Sequence, residues 1–260
     1  MNRSLARNLV AGLALGLILA GTAHADRGQP AGIDVPAYIT KALTDPARAH
    51  DRANDARRRP GPILALAGVK PGDTVIELVP ASGYWTRILS RIVGPKGHVY
   101  AVTPVEFLKV FPKAADKVKV LAADPHYSNV TALVQPAADL KIPKPADLVF
   151  TAENMHDYNN ASFGSLPPKA LATEVLKALK PGGIFLVNDH VAPKGSGLSD
   201  TDTLHRIDSA TVKAQVTAAG FVFVGASDVL RNPKDPHDIK VFDPSIRGHT
   251  DQFVYKFRKP

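Results

Sequence analysis

The amino-acid sequence predicts an α/β fold: a seven-stranded, mostly parallel sheet with a C-terminal antiparallel hairpin and helices on both faces. Three observations lead there. From Pro60 onward, short β-branched runs alternate with helical stretches, the pattern of a parallel sheet covered by helices. The last two strand-like runs are joined by a Pro- and Asp-rich stretch, Arg231 to Thr250, with no helical signal, and strands joined without a crossover helix pair antiparallel. Leu179-Lys-Pro-Gly-Gly183 reads as a helix stop and turn just before the fifth run.

Taken in chain order, residues 1–25 have the layout of a secretory signal. Arg3 and Arg7 make a positive start, Leu9 to Ala20 is apolar, and Ala23-His24-Ala25 is a small-x-small cleavage site. The apolar run is shorter than the roughly 20 residues that a membrane-spanning helix needs. The expectation is therefore cleavage before Asp26, a periplasmic or secreted location, and no integral membrane span afterwards. No cysteine occurs, so neither a disulfide nor a lipidated N-terminal cysteine is available. Residues 26–60 read as a polar linker followed by helices over 35–43 and 46–58. Arg48, Arg52 and Arg57-Arg58-Arg59, interspersed with Asp45, Asp51 and Asp55, read as a solvated, salt-bridged helix face.

Residues 61–260 hold the main domain. Strands are expected over 74–79, 98–103, 129–134, 147–151, 184–189, 221–228 and 252–257. Helices are expected over 83–93, 105–121, 168–179 and 209–219, with at best a short piece near Asp139. The formal net charge is +8, but no Lys/Arg block carries interleaved aromatics, so nucleic acid is not an expected partner.

The most informative stretch runs Gly68-Val-Lys-Pro-Gly-Asp-Thr-Val-Ile-Glu77-Leu-Val-Pro-Ala-Ser-Gly83-Tyr84-Trp-Thr. A turn feeds a buried strand, which ends in an acidic residue and a loop of small residues before a helix. In doubly wound sheets a nucleotide-like ligand sits there, because small residues let it approach the backbone and the helix start offers free N–H groups. The stretch resembles motif I of class I S-adenosylmethionine-dependent methyltransferases, which have a Rossmann-like fold, and in particular the isoaspartyl form. The resemblance implies S-adenosylmethionine as cofactor, with Glu77, Pro80, Ala81, Gly83 and Tyr84 on the cofactor side. It places Thr103, at the end of the second strand, where that family has an acid for the ribose hydroxyls, with Glu106 the nearest carboxylate. Glu153, after the fourth strand, joins the same list. Glycines in the family's pattern would fall at 79, 81 and 83; this chain has Val79, Ala81 and Gly83. Glycine tolerates positive φ and carries no Cβ toward a ligand, so weak cofactor binding is expected.

Ala146 to Tyr158 resembles the family's fourth strand and its substrate-facing loop. From about Asp51 to Pro260 the chain also resembles an uncharacterised family of exported predicted methyltransferases. That likeness rests on Glu77-Leu-Val-Pro, Glu153-Asn-x-His156-Asp157, Asp189-His190, His205-Arg-Ile-Asp208 and Leu230-Arg-Asn-Pro. C-terminal strand ends ring the site in open α/β sheets, so His156, Asp157, Asp189 and His190 are the expected catalytic residues facing the acceptor. His205, Arg206 and Asp208 sit at the next helix start. A histidine beside a carboxylate can act as general base. No metal site is expected, since neither His-x-x-x-His nor a tight carboxylate pair occurs.

The function that follows is methyl transfer from S-adenosylmethionine to an unknown acceptor, a small molecule or a surface-associated one. The alternative is an exported Rossmann-like binding protein whose cofactor site has degenerated. A hydrolase would need a nucleophile, and Ser82 in Pro-Ala-Ser-Gly-Tyr lacks the Gly-x-Ser-x-Gly spacing.

Overall fold

The apolar run after the Lys-Pro-Gly-Asp turn forms β1 (Thr74–Leu78), around which the sheet assembles in a computed structural model describing residues 33–260. The expected signal segment lies outside the described residues. The remaining strands are β2 (His98–Pro104), β3 (Val130–Gln135), β4 (Ala146–Ala152), β5 (Leu179–His190), β6 (Val222–Ser227) and β7 (Gln252–Arg258). Their order across the sheet is β3-β2-β1-β4-β5-β7-β6. β1 pairs parallel with β2 and β4, β2 with β3, and β4 with β5. β7 inserts between β5 and β6 and runs antiparallel to both. All seven expected strands are present and the closing hairpin has the expected sense. The sequence order turns back between β1 and β4, which is where a ligand crevice opens in such sheets.

The helices are α1 (Ala37–Leu43), α2 (Asp55–Arg58), α3 (Pro60–Ala67), α4 (Tyr84–Val93), α5 (Phe107–Val110), α6 (Asp116–Ala123), α7 (Met155–Tyr158), α8 (Pro168–Ala178) and α9 (Ser209–Ala218). Alternate residues of the strands feed two cores. Val75, Val99, Leu148 and Leu186 pack under Ile63, Leu64, Ile88 and Leu89 of α3 and α4. Ile76, Val102, Val149 and Phe185 face Leu171, Val175, Val212 and Val216 of α8 and α9 on the other side. Each fully buried side chain of this size contributes about 1.5–3 kcal/mol of transfer free energy. Among the described residues no helix is long and apolar enough to cross a membrane.

Several elements depart from the sequence expectation for local reasons. The helix expected over 46–58 forms instead as two short 3-10 turns and α2, the first turn capped by the Asp45 carboxylate, which accepts from the Ala47 N–H. α3 is obscured in the sequence by Pro60, Gly61 and Pro62, yet all three fall in its first turn, where the N–H groups have no helical partner to lose. The helix expected over 105–121 splits into α5 and α6 around Pro112. No helix forms near Asp139. The Lys-Pro-Gly-Gly stretch also differs: α8 ends at Leu179, which is already extended, so glycine does not close the helix. Residues 180–183 instead bulge out of β5, where the pairing with β4 jumps from Ala146↔Leu179 to Leu148↔Ile184.

The arginine-rich segment is salt-bridged as expected but only partly solvated: Arg52 and Arg59 are exposed, while Asp45, Arg48 and Asp51 are buried. Arg48 is fully buried, with Nη2 2.8 Å from Asp55 Oδ1. The Tyr84 hydroxyl donates to the same Oδ1 at 2.6 Å, and its ring lies beneath the guanidinium groups of Arg48 and Arg58, at 5.4 and 5.0 Å. This network binds residues 48–58 to α4 within the one compact unit that spans Ile33–Pro260.

Candidate active site

A cavity of about 510 Å³ opens at the C-terminal ends of β1, β2 and β4. Its floor is the loop after β1, contributing Val79, Ala81 and Ser82, with Thr103 from the end of β2 beside it. The backbone of this loop is left-handed at all three positions where the related motif has glycine: Val79 (φ 54°), Ala81 (φ 49°) and Gly83 (φ 82°). A β-branched residue in that region is a true outlier, and each non-glycine there costs about 1–2 kcal/mol. Thr103 Oγ1 is buried and has no hydrogen-bond partner in the protein.

The other residues expected on the cofactor side sit behind this surface. Glu77 is 2% exposed, and its Oε2 accepts a 2.5 Å hydrogen bond from Thr86 Oγ1 of α4. Burial pushes its pKa up to about 7, against the opposing pull of the Thr86 hydrogen bond and the Arg87 charge. Gly83 caps α4; a Cβ there would lie 2.6 Å from Leu121 Cδ1, so packing and positive φ demand this glycine, in place of the ligand space expected from the motif. Pro80 is buried, and Tyr84 belongs to the Arg48–Asp55 network. Glu153 pairs with Arg58 at 3.0 Å and Arg57 at 3.6 Å and accepts from Gln252 Nε2 at 3.2 Å. Burial works against its charge, but Arg58, His190 and Arg57 hold its carboxyl below the usual range.

The four expected catalytic residues are brought together, in two tiers. Asp189 is fully buried at the end of β5 and accepts from His156 Nδ1 (2.8 Å), the His156 backbone N–H (2.8 Å) and the His190 N–H (2.7 Å). His156, on α7, is thereby locked with its Nε2 3.2 Å from Asp157 Oδ1. Burial alone would strip the His156 proton, but the charges and hydrogen bonds of Asp189 and Asp157 overrule it and raise the pKa to about 10. For Asp157 burial is likewise overruled, by the nearby imidazoles of His156 and His205 at 3.2 and 3.6 Å, and its pKa falls to about 2. Asp157 reaches the cavity wall beside Asn154, whereas His190 turns away, its Nδ1 2.8 Å from Thr250 Oγ1, and is lowered by burial.

The residue that sequence spacing does not connect to this group is His205, 48 positions beyond Asp157. Its Nδ1 is 3.6 Å from Asp157 Oδ1, its ring packs on Phe242 at 4.8 Å, and it lines the cavity with φ at 55°. Its neighbour explains the placement. Arg206 is buried and bidentate to Asp235, at 2.8 and 2.9 Å, and also donates to the carbonyls of Ile239 and Val191. That pair draws the 231–250 stretch over the strand ends and brings Phe242 to the cavity. Asp208 caps α9 through the Ala210 N–H. A larger depression of about 690 Å³, lined by Arg57, Arg59, Arg231 and His249, holds none of the expected site residues.

No protein-family model matches the chain. It is 34% identical over 197 residues to the ubiquinone/menaquinone biosynthesis C-methyltransferase of Pseudomonas paraeruginosa, covering 74% of this chain and 65% of that one. It is 30% identical over 126 residues to the protein-L-isoaspartate O-methyltransferase of Ignicoccus hospitalis, covering 48% and 51%. The chain thus spans between half and two thirds of the length of these curated relatives. Among solved structures it resembles an S-adenosylmethionine-dependent methyltransferase of Aquifex aeolicus, with a TM-score of 0.54 at 20% identity over 85% of this chain and 97% of that one. It also resembles the N-methyltransferase NodS of Bradyrhizobium japonicum in complex with S-adenosylhomocysteine, with a TM-score of 0.55 at 14% identity over 85% and 96%. The fold of this chain is that of the class I S-adenosylmethionine-dependent methyltransferases, to which these relatives and structural neighbours belong.

Proposed function

We propose that this chain is an S-adenosylmethionine-dependent methyltransferase whose cofactor lies over the Val79–Ser82 loop and whose acceptor meets the Asp157–His205 end of the same cavity. The observation that carries the reading is the loop itself. It holds the left-handed backbone of a glycine-rich cofactor loop at Val79 and Ala81, where no glycine makes that shape easy. Strain of this kind persists where function demands the geometry. The residues fit the cofactor in a second respect, since the unpartnered Thr103 hydroxyl at the cavity edge can bond a ligand hydroxyl. Val79 and Ala81 carry side chains that glycine would not, which supports binding no tighter than micromolar, about −8 kcal/mol. The methyltransferase names of the curated relatives favour an enzyme over a binding module in the same fold.

When bound, S-adenosylmethionine supplies a methyl group on a positively charged sulfur. The chain's own part is to align an acceptor with it and keep water out, since such transfer asks mainly for positioning. Asp189 orients His156, His156 orients Asp157, and Asp157 with His205 and Asn154 presents the polar end of the cavity to the acceptor's reacting group. Phe107, Phe111 and Phe163 form a clustered aromatic wall of the cavity and Phe242 adds a ring against His205; Phe111 and Phe242 are more than half exposed. That wall suits a flat, apolar acceptor, the class to which the name of the Pseudomonas relative also points. We place the protein in the periplasm or outside the cell, on the strength of Arg3, Arg7 and the Ala23-x-Ala25 site. The reading is tested by incubating the purified protein with methyl-labelled S-adenosylmethionine and a solvent extract of cell envelopes. Label should enter the extract with the wild type and fall at least tenfold with Asp157→Asn; equal labelling by both would refute the assigned acceptor end.

A further inference from the structure

We infer that His156, Asp157 and His205 form a binding site for one divalent transition-metal ion at the acceptor end of the cavity. Their ligand atoms all lie within 4.8 Å of one another. Two atoms bound to one ion at about 2.1 Å, with an angle of 90–110°, stand roughly 3.0–3.5 Å apart. The observed separations are 3.2 Å from His156 Nε2 to Asp157 Oδ1 and 3.6 Å from His205 Nδ1 to the same oxygen.

The support around His156 is that of a metal ligand. Its Nδ1–H donates to Asp189, and the Asp189 carboxylate is itself fixed by the backbone N–H groups of His156 and His190. A carboxylate holding one imidazole nitrogen sets the tautomer and turns the other nitrogen's lone pair outward. In the neutral ring that lone pair faces a carboxylate oxygen at 3.2 Å, an arrangement that is repulsive unless a proton or a metal ion lies between them. A proton on Nε2 would satisfy that contact alone. It would leave His205 Nδ1 at 3.6 Å, beyond hydrogen-bond distance of the oxygen it faces. An ion uses all three groups at once.

Two imidazoles and one carboxylate select zinc, cobalt(II) or iron(II) over magnesium and calcium, which prefer oxygen ligands throughout. Three protein ligands leave at least one coordination position free. Asp157, His205 and Asn154 all border the cavity, so that position faces the space in which an acceptor would sit. The metal site itself does not depend on the methyltransferase reading; only its use toward the acceptor does.

The test is equilibrium dialysis of the purified protein against zinc followed by elemental analysis, with cobalt(II) absorption as a second readout. Wild-type protein should take up one zinc per chain and shift the cobalt spectrum from that of the hydrated ion to that of a nitrogen-ligated site. His205→Asn keeps a residue that tolerates positive φ and should weaken zinc at least tenfold. Asp189→Asn should weaken it about 10–100-fold through the orientation of His156, with Trp85 fluorescence confirming that the variant is folded. Wild-type binding no tighter than that of His205→Asn, or an unchanged cobalt spectrum, would overturn the inference. A parallel titration with S-adenosylmethionine separates the two readings: cofactor binding without metal removes only the metal site, and metal without cofactor removes only the methyltransferase reading.

Discussion

Replacing Glu77 with glutamine should make the protein more stable at mildly alkaline pH and leave it unchanged in mild acid. Glu77 is sealed between β1 and α4, and burial lifts its pKa from 4.5 to about 7. The folded state therefore holds this proton more tightly than the unfolded chain does. The associated stability is fully present below about pH 4.5 and is lost as pH rises through about 7. At about 1.4 kcal/mol per pH unit, a gap of about 2.5 units corresponds to about 3 kcal/mol. Glutamine keeps an acceptor for the Thr86 hydroxyl but cannot ionise, so this contribution disappears from the pH profile. The assay is urea unfolding followed by the fluorescence of Trp85, the sole tryptophan, which is buried edge-on to Tyr84 on the same helix. Glu77→Gln should match the wild type near pH 4 and exceed it by about 3 kcal/mol near pH 8. A variant that is less stable than wild type at pH 8, or that keeps the wild-type slope, would show that the Glu77 pKa is not raised by folding and that its place under α4 depends on its charge.

Other substitutions probe the scaffold that shapes the cavity. Arg206→Ala leaves Asp235 buried without its partner and should cost about 3–5 kcal/mol in thermal unfolding; a loss under about 1 kcal/mol would mean that the 231–250 stretch is held by something else. Gly83→Val combines a strained φ with overlap against Leu121 and should cost about 2–5 kcal/mol in the same assay; wild-type stability would contradict the packing described here. Val79→Gly with Ala81→Gly relieves backbone strain and clears two side chains, so S-adenosylmethionine affinity in calorimetric titration should stay level or rise. A tenfold loss would mean that those side chains help to form the pocket.

The fold is legible in the sequence because its signals are local. Val75-Ile76 and Leu148-Val149 announce buried strands, and the missing helix before Gln252 announces the antiparallel hairpin. Elements whose signals conflict are harder to read. Pro60 and Pro62 look like breakers yet begin a helix, and Pro112 ends one inside an otherwise helical pattern. The site is legible in part. His156, Asp157 and Asp189 stand at strand ends, and topology alone brings those together. Motif position puts Glu77, Tyr84 and Glu153 among the cofactor contacts because it cannot reveal which side chains the fold will bring against them. Each is occupied by such a partner: Thr86, Asp55 and the Arg57–Arg58 pair. His205 is visible as a residue but not as a neighbour of Asp157, because its position depends on Arg206 finding Asp235.

The central claim is that the cavity over Val79–Ser82 holds S-adenosylmethionine, and isothermal titration of the purified protein with that compound tests it most directly. One site with a dissociation constant in the micromolar range or weaker is expected. Thr103→Val should weaken it several-fold, the equivalent of about 1 kcal/mol for one hydrogen bond. Absence of binding by a protein whose circular dichroism and Trp85 fluorescence show it folded would contradict the account.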